Sequence, residues 1–255
     1  MAQITIHFHH ILNDFLAPAY RHREIVHRYD RKASVKDMIE SFNVPHTEVE
    51  RIVVNGQAVD FSYLMQDGDH IQVYPASANP GVPSPLPLRP EPPSPPRFIV
   101  DTNLGRLARY LRLLGLDCLY HNDYADAVIA QIASAQQRTV LTRDRSLLRR
   151  SLIVHGYFVR SDMPKTQVRE VLARFDLYRS IDPLTRCTRC NGKLTATDKH
   201  QIAHRLEPLT KKYYDKFLSC PDCGQIYWQG SHFERVMQLI GQLLSHPKQL
   251  DTRRQ

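Results

Sequence analysis

No apolar run in these 255 residues approaches the roughly 20 that a membrane-spanning helix needs. The N-terminus, MAQITIHFHHILND, lacks the charged segment and following apolar core of a signal peptide. These two absences predict a soluble, cytoplasmic protein. Cysteine is scarce, at five residues, and four of the five fall in two CxxC pairs, a spacing that favours metal over disulfides. Acidic residues are the minority, with Asp+Glu 26 against Lys+Arg 34, a net charge of +8 and a pI near 9.3. Such a balance favours an anionic partner, nucleic acid first. Core-forming residues are not lacking: 42% hydrophobic and 24% charged exclude global disorder, and the length allows one large or two modest domains.

The first 77 residues read as one unit. Ile4, Ile6 and Phe8 alternate as in a strand, and Glu24 to Tyr29 offers a hairpin partner. Ser34 is placed to cap a helix from Val35 to about Phe42. RIVVNGQAVD (51–60) predicts strand, Asn-Gly turn, strand, and the Gln66-Asp-Gly-Asp69 turn leads into a strand from Ile71 to Tyr74. The SVKDMIE helix start and the IVVNGQAV…MQDGDHIQVYP run resemble the ubiquitin-like β-grasp fold, in particular its sulfur-carrier branch. Carriers of that branch end in a free Gly-Gly. Here the last strand runs into Ala76-Ser-Ala-Asn-Pro80 and onward, so a docking or substrate-presenting role, with a protein partner, is expected instead of thiocarboxylate transfer.

Nine of the 17 prolines lie between Asn79 and Arg97. Residues 78–96 therefore read as an extended, semi-rigid linker at about 3.1 Å per residue, joining two domains loosely. Beyond it, strands and helices alternate, which implies a parallel sheet with flanking helices. Phe98 to Val100 is a buried strand, followed by a helix with Leu104, Leu107, Leu111 and Leu114 at helical spacing, capped by Thr102 or Asn103. Further strands are expected at 117–120, 139–141 and 157–159, with helices at 125–136, 145–150 and 167–175.

This reading puts Asp101, Asp144 and Asp162 at or just past carboxyl ends of strands, where open α/β sheets bind ligands. Asp126, and Asp123 just before it, lie at the start of a helix. Each carboxylate taken alone could be a helix cap. Together, carboxylates on one rim repel unless cations neutralise them, and hard divalent ions, Mg²⁺ or Mn²⁺, suit oxygen donors. Such ions support phosphodiester hydrolysis. Arg106, Arg109 and Arg112 recur every third residue, and Arg143, Arg145, Arg149, Arg150 and Arg160 bracket the later acids, a distribution suited to phosphate contacts. Tyr110 and Tyr120 either stack on bases or fill the core.

Cys187-x-x-Cys190 and Cys220-x-x-Cys223, about thirty residues apart, supply four thiolates for a closed, structural Zn²⁺ site, with Gly192 and Gly224 permitting the turns. Lys211, Lys212 and Lys216 lie between the pairs and could face nucleic acid. Cys118 reads as an inert core residue.

FIVDTNLGRLARYLRLLGLD, Asp126-Ala-Val-Ile, VLTRDRSLLRR, VRSD and the cysteine pairs with YWQGSH, in that order, resemble the Mut-seven C-terminal RNase domain, a branch of the PIN-like nucleases. The resemblance implies an α/β, PIN-like nuclease fold with a C-terminal zinc ribbon, and an N-terminal ubiquitin-like domain. It implies a ribonuclease whose acidic Mg²⁺ or Mn²⁺ site is carried over to Asp101, Asp126 and Asp144, with Asp162 as a further member. Asp126, where such enzymes often have Glu, is a shorter side chain suited to binding metal through water. His232 of the last motif is a candidate for substrate contact or helix capping. The expected divisions are 1–77 β-grasp, 78–96 linker, 97–182 nuclease, 183–246 zinc ribbon with C-terminal helix, and 247–255 tail. RNA is the expected substrate, tRNA among the candidates; a non-catalytic RNA-binding adaptor is the alternative.

Overall fold

The computed structural model describes residues 1–75 and 86–244; among the side chains of the last helix, that of His232 lies outside the description, as does the tail. The chain divides into two compact units, Met1–Pro93 with Ala125–Phe158, and Ser94–Tyr124 with Val159–Gln255.

The first unit begins with a five-stranded mixed sheet. β1 (Ala2–Phe8) pairs antiparallel with β2 (Ile25–Tyr29), and Ile4, Ile6 and Phe8 turn inward at 1% exposure or less, as period-two patterning requires. α1 (Val35–Ser41) is capped by Ser34, whose hydroxyl accepts from the Asp37 N–H. β3 (Val49–Val54) and β4 (Gln57–Val59) form the hairpin, and Asn55 and Gly56 both take positive φ, 51° and 83°, as a type I′ turn demands. β5 (His70–Pro75) runs parallel to β1 and completes the order β2-β1-β5-β3-β4. Asp69 locks the turn before it: its buried carboxylate accepts from Asn55 Nδ2 at 2.8 Å, the Gln66 N–H at 2.8 Å and the Tyr63 hydroxyl at 3.1 Å.

The chain enters the second unit for β6 (Phe98–Val100), α2 (Gly105–Leu113) and β7 (Cys118–Leu119), with β6 and β7 parallel. Leu104, Leu107, Leu111 and Leu114 are all buried. It returns to the first unit for α3 (Asp126–Gln136), β8 (Thr139–Thr142), α4 (Arg145–Leu148) and β9 (Gly156–Phe158), with β8 and β9 parallel and joined across α4. α5 (Pro164–Arg174) packs against α2 in the second unit. The remainder of that unit is a three-stranded antiparallel ribbon: β10 (Thr195–Thr197), then α6 (Lys199–Ile202) and α7 (Pro208–Tyr213), then β11 (Phe217–Ser219) and β12 (Ile226–Trp228). Ile202, Phe217 and Ile226 form its small core, and α8 (Ser231–Leu244) follows. The molecule is thus mixed α/β, with a mixed N-terminal sheet and parallel strands beyond it.

The expectation of a loose junction is corrected. Glu48 Oε1 accepts from the Phe158 N–H at 2.7 Å, His46 Nε2 donates to the Ile153 carbonyl at 2.9 Å, and Phe15 meets Phe158 edge-on at 5.3 Å. These contacts pack the 3-10 turns beside the N-terminal sheet, His10–Phe15 and His46–Glu48, directly onto β9 and the loop before it. The described part of the linker is also anchored and not free: Leu88 packs on the β-grasp core, and Arg89 donates to the carbonyls of Thr47 (2.8 Å), His46 (3.1 Å) and Val49. A guanidinium there supplies donors to these backbone carbonyls from a proline-rich segment that has few N–H groups of its own.

Candidate acidic site, basic surface and cysteine cluster

In the second unit, Asp101 directly follows β6, whose three residues are fully buried. Its carboxylate, 5% exposed, accepts from the Thr102 N–H at 2.6 Å and caps a 3-10 turn over Thr102–Leu104. Asp101 thus caps the 3-10 turn, while α2 itself starts after Leu104 with no side-chain cap, so neither Thr102 nor Asn103 caps it. Tyr120 fixes the same loop. Its hydroxyl donates to the Thr102 carbonyl at 3.1 Å and lies 2.6 Å from where a side chain on Gly105 would begin. Tyr120 is thus a loop brace. Asp162 is exposed, and α5 begins at Pro164 with no side-chain cap, so it does not cap that helix. The loop carrying it hangs on Glu170, whose carboxylate accepts from the Arg160 N–H (2.8 Å) and the Ser161 N–H (3.1 Å). Glu170 gave no signal in the sequence beyond its place on a helix.

In the first unit, Asp144 follows β8 by two residues. It caps α4 through the Ser146 N–H at 2.7 Å, and its own N–H donates to Thr142 Oγ1 at 2.8 Å. Asp126 opens α3 without capping it, since the residue before is Ala125. Its carboxylate lies 3.7 Å from Arg150, a half-exposed pair that contributes little to stability. Asp123, in the second unit, is exposed beside His121 at 3.6 Å and caps nothing. The candidate acids thus divide as Asp101 and Asp162 in one unit, Asp126 and Asp144 in the other.

The arginines separate into two groups. Arg112, expected to meet phosphate, is buried at 3% exposure. Its guanidinium donates to the carbonyls of Cys118 (2.7 Å), Arg189 (2.8 Å), Thr188 (3.3 Å) and Tyr120 (3.3 Å). That expectation is corrected: the residue ties α2 to β7 and to the first cysteine knuckle. Arg145 donates to the Phe15 and Asp14 carbonyls at 2.9 and 3.3 Å and lies over the rings of Phe15 and Phe158. Arg149 reaches the Glu40 carbonyl at 3.4 Å. Both are engaged with the N-terminal segment, Arg145 with a 3-10 turn over His10–Phe15 and Arg149 with α1. Arg106 and Arg109, by contrast, are exposed on α2, Lys211 and Lys212 are exposed on α7, and Arg143 is half-buried next to Asp144.

The four sulfur atoms of Cys187, Cys190, Cys220 and Cys223 lie within 4.8 Å of one another. That clustering, in a chain with no disulfide among the described residues, fits tetrahedral thiolate coordination of structural Zn²⁺. Gly224 takes φ +69°, as its turn requires. At the first knuckle Asn191 takes the positive φ, +74°, and Gly192 is needed for space, since a Cβ there would lie 2.8 Å from Cys220 Sγ. The Asn191 side chain donates to Asp117 at 2.9 Å and accepts from the Cys118 N–H at 2.9 Å, knotting the knuckle to β7. Burial alone would raise the Cys187 thiol pKa. The hydrogen bonds from the Tyr227 hydroxyl and from knuckle N–H groups outweigh it and bring it down to about 7. Cys118 is fully buried in β7.

A family model described as the Mut7-C RNAse domain matches residues 96–240, and one described as Mut7-C ubiquitin matches residues 1–80. No curated protein and no solved structure matches the chain. No helix among the described residues is long and apolar enough to cross a membrane.

Proposed function

The chain belongs to the Mut7-C RNAse domain family, and from that membership we propose that it is a metal-dependent ribonuclease hydrolysing RNA phosphodiester bonds. The supporting observation is that, within the matched segment, Asp101 directly follows β6 and Asp144 lies two residues after β8, the strand ends at which α/β folds bind ligands. Asp101, Asp126 and Asp144 would hold Mg²⁺ or Mn²⁺, with Asp162 as a further member. Carboxylate oxygens are the donors such hard ions prefer, while the sulfur donors are gathered in the cysteine cluster and suit Zn²⁺. A bound divalent ion supplies Lewis acidity for the hydrolysis. The chain's own residues do the rest: Asp101 and Asp144 are held in place by the N–H groups they cap, and Arg106, Arg109 and Arg143 orient the phosphate backbone without reading sequence. The cysteine cluster is structural, because four thiolates leave no open coordination position. The β-grasp sheet recruits a protein partner, and tRNA is among the candidate substrates.

The test is incubation of a mixed RNA pool, tRNA included, with the purified protein in Mn²⁺ or Mg²⁺ against EDTA, beside Asp101→Asn and Asp144→Asn. Cleavage that needs the metal and falls by about a hundredfold or more in both variants is the expected result. RNA that is bound but uncut, or cut equally by the variants, would replace the nuclease with an RNA-binding adaptor.

A further inference from the structure

The second unit contains a cleft of about 970 Å³ between α2 and the cysteine-bearing ribbon. Arg106, Arg109 and Tyr110 line it from α2. Arg189, Trp228 and Phe233 line it from the ribbon and the start of α8, and among the described residues no carboxylate lines it. The three arginines are exposed, unlike Arg112 one turn further along the helix. Trp228 is the chain's only tryptophan, and it stands 36% exposed at the end of β12. Its indole lies close over the neighbouring backbone. A side chain on Gly230 would begin 2.8 Å from Nε1, and Phe217 lies 6.4 Å away on the paired strand. The wall beneath is fixed, because the Tyr227 hydroxyl accepts from the Thr188 N–H at 3.0 Å and lies 3.1 Å from Cys187 Sγ.

An exposed aromatic sharing a cleft with guanidinium groups, with no carboxylate among the described lining residues, is the arrangement that binds unpaired nucleic acid. Bases stack on rings regardless of sequence, and phosphates pair with arginine. A duplex offers its phosphates but keeps its base faces stacked, so only the single strand can use both walls. We propose that this cleft takes an unpaired stretch of RNA, with bases on Trp228 and Tyr110 and phosphates on Arg106, Arg109 and Arg189. That the nucleic acid is RNA rests on the ribonuclease reading above. α2 begins one 3-10 turn after Asp101, so a strand lying along the helix leads toward that carboxylate. The cleft then selects loops and single-stranded ends for cutting.

The sole tryptophan is the probe. The full-length, zinc-loaded Asp101→Asn variant is titrated with a short oligouridylate, with the same strand annealed to oligoadenylate, and with polyglutamate. Saturable quenching of tryptophan fluorescence by the single strand, and little by the duplex or the polypeptide, is expected. By anisotropy of labelled oligouridylate, Trp228→Ala weakens binding about tenfold, Trp228→Phe restores most of it, and Arg109→Ala lowers the salt slope by about 0.7. Zinc content and far-UV circular dichroism check that each variant is folded. Binding with no quenching, unchanged affinity in folded Trp228→Ala and Arg109→Ala, or equal quenching by polyglutamate overturns the proposal. The two readings fail separately. Quenching without cleavage by the parent protein in Mn²⁺ keeps the cleft and removes the nuclease, whereas cleavage with Trp228→Ala binding like the parent does the reverse.

Discussion

Replacing Arg112 tests whether a guanidinium in an arginine-rich helix serves the fold or the substrate. Of its four carbonyl partners, those of Cys118 at 2.7 Å and Arg189 at 2.8 Å have short, well-formed bonds, and those at 3.3 Å add less. A hydrogen bond involving a charged group contributes about 1.5–3 kcal/mol, so the two short bonds together hold about 3–6 kcal/mol. Arg112→Met removes them but also removes the cost of keeping a charge at 3% exposure, which offsets part of the loss. A net destabilisation of about 3 kcal/mol is expected, or a Tm lower by about 6–12 °C in a chain of this size. Arg112→Lys keeps the charge but reaches fewer carbonyls and should lose about 2 kcal/mol. Thermal and urea unfolding of the zinc-loaded protein give the stability, and salt-dependent RNA binding gives the other half. If both variants unfold within about 0.5 kcal/mol of the parent while RNA binding weakens and its salt slope falls by about 0.7, Arg112 is a phosphate ligand and the structural argument is wrong.

Cys220→Ser should cost the chain its zinc, about one ion per molecule, and loosen the ribbon, seen by elemental analysis and by hydrogen exchange at β11 and β12. Gly105→Ala should destabilise by about 1–3 kcal/mol because the new methyl meets the Tyr120 ring, and the effect should vanish in a Tyr120→Ala background, a double-mutant cycle by urea unfolding. His155 has its pKa lowered below the usual 6.5, first by burial and then by Arg89. The unfolded chain therefore binds the proton more readily, and stability should fall as pH drops from about 6.5 toward the depressed value; His155→Gln should flatten that fall in pH-dependent urea titrations.

Much of the fold is legible locally. The alternation of Ile4, Ile6 and Phe8, the Asn55-Gly56 turn, the leucine face of α2 and the two CxxC pairs each carry their meaning within a few residues, because strand pleat, helix period and knuckle geometry are short-range. The acids are legible as positions, since a strand's end can be read from where a hydrophobic run stops. What escaped was long-range. Arg106, Arg109 and Arg112 have the same spacing, yet only the last is buried, because the carbonyls that cover its flank lie 76 and 77 residues along the chain. Arg145 looks like a phosphate ligand beside Asp144 until the carbonyls of Phe15 and Asp14, about 130 residues away, take up its guanidinium.

The arginines that misled and those that did not differ in what they face, not in their chemistry. A guanidinium offers a rigid fork of donors, and a carbonyl-rich loop and a phosphate satisfy the same fork. Net charge therefore overstates the nucleic-acid footprint: among the 34 Lys and Arg residues of this chain, Arg89, Arg112 and Arg145 are each bonded to backbone carbonyls. Among the described cations that donate to no such oxygen are Arg106, Arg109 and Arg189 around the α2 cleft and Lys211 and Lys212 on α7. A basic sequence becomes a binding surface where the fold leaves its donors without internal acceptors, and in the second unit that condition is met beside the chain's one exposed indole.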